Sequence, residues 1–137
     1  MRDVASAGDA EKPVLIRQLQ KDAAKAEDSG DRRVARRVIG SVTIESMERG
    51  RSLMQERDYS GAARVYETAV LIRPENAGSW YSLAVAHAGA GNTKRAIEAL
   101  EHAAEHGFRD VGRIEQEPLF AKVRREARYQ SVLEKMK

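Results

Sequence analysis

At 137 residues the chain is the size of one domain with a single core, and 33% charged residues with only 5% aromatics and three prolines point to helices rather than a sheet. Cysteine is absent, which excludes disulfides and thiolate metal sites. The net charge of +3 is small against 24 basic and 21 acidic residues, so most charges read as solvated helix faces.

The opening MRDVASAGDAEKP has no apolar core of signal-peptide length, and no apolar run is long enough to span a membrane. A cytoplasmic chain is the default expectation; a secreted or periplasmic fragment would read the same. Residues 1–12 are polar and read as a flexible tail. Residues 13–42 form an N-terminal helical extension. Within it KPVLIRQLQKDAAKAEDSG reads as one helix, with Pro13 near its start and Gly30 after its end. No strong breaker follows between Asp31 and Arg57, since Gly40 and Gly50 are mild costs only. The pattern therefore predicts one unusually long helix joining the extension to the next element.

Residues 43–76 and 77–110 repeat one another. Ala62 aligns with Ala96, Tyr66 with Leu100, Ala69 with Ala103, Ser46 with Trp80, Gly50 with Ala84 and Leu53 with His87, each at an offset of 34. A fixed period in this range signals a stacked array of helical hairpins. In the second unit Trp80, Leu83, Ala84, Val85 and Ala88 have helical spacing. Gly89 and Gly91 weaken that helix, Asn92-Thr93 supplies a turn and cap, and Gly107 stops the next helix. Pro74 ends the first unit. Ala62, Ala69, Ala84, Ala96 and Ala103 are the expected close contacts between helices, with Trp80, Leu83 and Leu100 filling the space around them. Truncating Trp80 to alanine should then cost roughly 3–5 kcal/mol. Upstream, Ala35 stands 27 residues before Ala62 rather than 34, so the extension reads as a fused helix and not as a further full repeat.

Residues 111–137 read as capping helices. Leu119, Phe120 and Val123, then Tyr129, Val132, Leu133 and Met136, recur on one face of short helices. Their polar faces would cover the open end that a solenoid needs closed.

The two units resemble the tetratricopeptide repeat family. Trp80, Leu83, Ala84, Ala96, Leu100 and Ala103 fall at its signature positions; the first unit keeps Gly50, Tyr59, Ala62, Tyr66, Ala69 and Pro74. Ser46 stands where tryptophan is common, and Phe108 where the closing proline would be. Val123-Arg124 and Arg128-Tyr129 also resemble a tail that follows such repeats in many bacterial proteins. The resemblance implies an all-α fold of stacked helical hairpins, an α-solenoid with an N-terminal extension and C-terminal capping helices. It also implies a protein-interaction scaffold with no chemistry or cofactor of its own. The family's concave surface holds a peptide, and the matching positions are Ile44, Met47, Arg51 and Met54, then Tyr81, Val85 and Ala88. This lining is mostly apolar, with adaptable methionines, and suits an apolar or amphipathic segment of a protein partner. Two fillings stay open: an external partner, or the chain itself through Val14, Leu15, Ile16 and Leu19 or through the cap. A self-assembly module and an accessory domain of a larger enzyme are the rival readings.

Other candidate sites read as structure. In HAAEH, His102 and His106 share a helix face, but a zinc protease's glutamate follows its first histidine directly, and here Ala103 holds that place. His87 has no serine, aspartate or cysteine at an activating spacing, and reads as a packing or groove residue. Two basic clusters, Arg32, Arg33, Arg36 and Arg37, then Lys122, Arg124, Arg125 and Arg128, could touch phosphates. No aromatics interleave with them, which argues against a nucleic-acid partner.

Overall fold

A computed structural model describes residues 12–25 and 30–137. Among the described residues there are α-helices and short 3₁₀ turns and no strand. The helices are α1 (Lys12–Lys25), α2 (Gly30–Gln55), α3 (Tyr59–Ile72), α4 (Ala77–Gly89), α5 (Thr93–Glu105), α6 (Val111–Gln116) and α7 (Ala127–Met136). Two 3₁₀ turns, Pro118–Phe120 and Val123–Arg125, link the last two. The expected flexible tail falls outside the described residues apart from Lys12, which opens α1.

Each helix packs on the next from α1 to α5, so the chain zigzags as stacked hairpins. The first-repeat helix and the end of the extension are one element, α2, which runs 26 residues without interruption. From α3 to α6 each entry is set by a short acceptor side chain. Asp58 takes the Gly61 N–H at 3.0 Å, Asn76 that of Gly78 at 3.0 Å, Asn92 that of Arg95 at 3.4 Å and Asp110 that of Arg113 at 3.1 Å. Each bond satisfies a donor that a helix start leaves open.

The turns repeat as the helices do. After α4, the Asn92 N–H reaches the His87 carbonyl at 2.8 Å and Gly91 adopts φ 82°. After α2, the Asp58 N–H reaches the Leu53 carbonyl at 2.8 Å, and Arg57 adopts φ 63°. Arg57 is thus a side-chain-bearing residue in the left-handed position that glycine fills one repeat later.

The main core is built as the alanine pattern anticipates. Ala62, Ala69, Ala84, Ala96, Ala103 and Leu100 are all 0% exposed. The core continues into the C-terminal segment through Ile114, Phe120, Val123, Tyr129, Val132, Leu133 and Met136. A second, smaller core holds α1 in place. There Ile16 and Leu19 meet Ala35 and Val42 of α2 and Ile72 of α3. Gln20 completes this docking by donating to the free carbonyls of Leu71 and Ile72 at 3.0 and 2.9 Å.

Trp80 departs from the expectation. It is only half-buried and lies across the outside of α5 rather than filling the core. Its indole N–H donates to the Pro74 carbonyl at 2.6 Å, and its ring stacks on His102 with centroids 4.2 Å apart. His106 lies parallel beyond it at 6.5 Å. The reason is geometric: alanines bring α4 and α5 so close that no ring-sized space remains between them.

Candidate functional site

The first expected groove positions lie on α2. Ile44 is 63% exposed, unusual for a large aliphatic side chain, and Arg51 on the same face is also exposed. Met47 and Met54 are half-buried, leaning against the main core, and Met47 sulfur accepts from the Ser79 hydroxyl at 3.8 Å. These four positions advance by three and four residues and so share one stripe of the helix.

The second-repeat half of the lining is different. Tyr81 is 3% exposed and Val85 is also buried, while Ala88 is half-buried. Tyr81 is covered by the chain's own C-terminal segment. Phe108 stacks on its ring at 4.7 Å, the Arg113 guanidinium lies 4.6 Å from its centroid, and Phe120 meets it edge-on at 6.0 Å. Burial pushes the Tyr81 hydroxyl above its ordinary pKa, helped by nearby Glu117. Cover from the cap was one of the fillings the sequence left open, and Phe108 stands where the family's closing proline would be. The N-terminal helix does not fill the rest: Ile16 and Leu19 pack in the second core, with Ala35, Val42 and Ile72 rather than Ile44.

The opposite face carries a cleft that the sequence reading missed. α3 and α5 stand apart above α4 and leave a cavity of about 340 Å³. Leu83 and His87 form its floor, Val70 and Leu71 one wall and Ala99 the other. His87 is 6% exposed, with Nε2 3.5 Å from Glu67 Oε1; Arg95 lies 4.0 Å from the same oxygen. Burial lowers the His87 pKa, Glu67 and Glu98 oppose this, and Arg95 adds to it. His102 on α5 and His106 at its C-cap are exposed, occupied with the Trp80 ring rather than converging on a shared point. No group of three or more metal-type ligands occurs among the described residues.

The basic clusters separate by role. Arg33, Arg36 and Arg37 are exposed on the first turns of α2. In the C-terminal cluster, Arg124 donates to the carbonyls of Ile114, Glu115 and Glu117 at 3.0, 2.6 and 2.8 Å, closing the end of α6. Arg128 pairs with Glu101 of α5. Two of the four cations there hold the cap together.

Among known families, the tetratricopeptide repeat model matches residues 47–109. No curated protein and no solved structure matches the chain.

Proposed function

We propose that the chain is a non-catalytic interaction scaffold, because residues 47–109 match the model of the tetratricopeptide repeat, a family that generally mediates protein–protein contacts. Its groove holds an apolar or amphipathic segment of a partner protein. The carrying observation is the α2 stripe on which Ile44 is 63% exposed and Arg51 is exposed, with Met47 and Met54 half-buried beside them. Leaving such side chains in water is unfavourable, and a partner's apolar face would remove them from it. Ala88 edges this surface, while Tyr81 and Val85 support it from within the core and meet a partner only if the cap lifts. Arg51 at the stripe's centre favours a partner with an acidic residue beside its apolar ones.

The test compares capture of interacting proteins by the wild type and by Ile44→Glu, whose exposed site leaves folding intact. A partner retained by wild type and lost by Ile44→Glu supports the groove. Identical captures by both would sink it.

A further inference from the structure

The cavity between α3 and α5 has a first-repeat counterpart between α2 and α3, and its character is reversed. At the 34-residue offset Arg49 takes the place of Leu83, Leu53 that of His87, Arg64 that of Glu98 and Val65 that of Ala99. The counterpart measures about 250 Å³, and Lys12 of α1 reaches it. So an exposed arginine stands where the second repeat buries a leucine, and a second arginine replaces a glutamate.

Among the described residues neither Arg49 nor Arg64 forms an ion pair. Asp58, which also lines the cavity, is turned to the Gly61 N–H at 3.0 Å as the cap of α3. Cations sharing one cavity repel each other, and a bound anion removes that cost. Guanidinium forks match phosphate oxygens, and two of them suit a dianion better than a single carboxylate. The cavity is larger than an orthophosphate ion, and its remaining space is bounded by half-buried Leu53 and Val65. No aromatic residue lines it, so it offers nothing for a stacked base.

We propose that the cleft between α2 and α3 binds a phosphomonoester, with its phosphate between Arg49 and Arg64 and its organic part against Leu53 and Val65. Its lining shares no residue with the stripe of Ile44, Met47, Arg51 and Met54. A phosphorylated side chain and a sugar phosphate share the required chemistry.

The whole chain would be titrated with O-phosphoserine, glucose 6-phosphate and inorganic phosphate at constant ionic strength. Backbone amide shifts over residues 58–65 and calorimetry would be the readouts. The expected result is saturable binding of an ester, tighter than inorganic phosphate. Both Arg64→Gln and Arg49→Leu should weaken it by about tenfold or more, as loss of a charged hydrogen bond implies. Arg49→Leu installs the second repeat's own residue, so it preserves folding. Preference for phosphoserine would support the site with a protein-borne ligand, and preference for the sugar phosphate with a free metabolite. Absence of saturable shifts, equal affinity for inorganic phosphate, or binding that survives both substitutions would overturn the proposal.

Discussion

Trp80 shows how a residue's type can be read correctly and its place misread. Its 34-residue register is right, but the ring lies outside, held by the Pro74 carbonyl and the His102 ring. Trp80→Ala is therefore expected to cost about 2–3 kcal/mol, below the loss for an enclosed ring, as measured by urea unfolding. His87 gives a pH dependence. Its folded-state pKa is depressed by burial, with Glu67, Arg95 and Glu98 facing it. Above the ordinary histidine value of about 6.5 the imidazole is neutral in both folded and unfolded chains, and its burial is free of charge cost. As pH falls below that value the unfolded chain takes up the proton first. Stability then declines until the folded-state pKa is passed. His87→Leu, which installs the residue of Leu53's position, should flatten the unfolding free energy between pH 7 and the acid limb. An unchanged slope would mean that His87 is not its source. The pairing of buried His87 with part-exposed Glu67 was illegible beforehand, because it depends on how α4 packs against α3, which periodicity does not specify.

At the scale of the element, most of the fold was legible and the turns carry the rest. The small residues Ala62, Ala84 and Ala96 announce helices in close contact, and all three are fully buried. Asp58, Asn76, Asn92 and Asp110 then fix where helices begin. What a single sequence did not disclose is the strained turn after α2. Arg57 at φ 63° pays a left-handed penalty that Gly91 avoids one repeat later. Arg57→Gly is thus expected to raise stability by about 1 kcal/mol, seen as a higher midpoint in thermal unfolding. The opposite sign applies within α2. A Cβ on Gly50 would lie 2.3 Å from the Tyr66 ring, so Gly50→Ala should destabilise by about 1–3 kcal/mol despite alanine's better helix propensity. If Gly50→Ala were neutral in the same assay, the close packing of α2 on α3 would be wrong. The exposure of the expected groove positions was legible only in part: Ile44 is exposed, whereas Tyr81 is covered by Phe108, Arg113 and Phe120, residues beyond the repeat or at its end.

For the molecule as a whole, the two cores divide the work unequally. One extends through α2 to α7; the other rests on Ile16, Leu19, Ala35, Val42 and Ile72. Amide exchange within α2 should be faster over residues 33–42 than over 46–55, although both belong to one helix. Uniform protection along α2 would mean that the two cores open together. This continuity has a consequence for phase. An α-helix turns about 100° per residue, so one residue inserted between Val42 and Thr43 would swing the α1 docking face a quarter-turn or more away from α3. Insertion of seven would return it to within about 20° while moving it roughly 10 Å along the axis. The extension and the repeats are therefore locked in azimuth, and insertions at this junction should be tolerated or rejected by whole turns rather than by length.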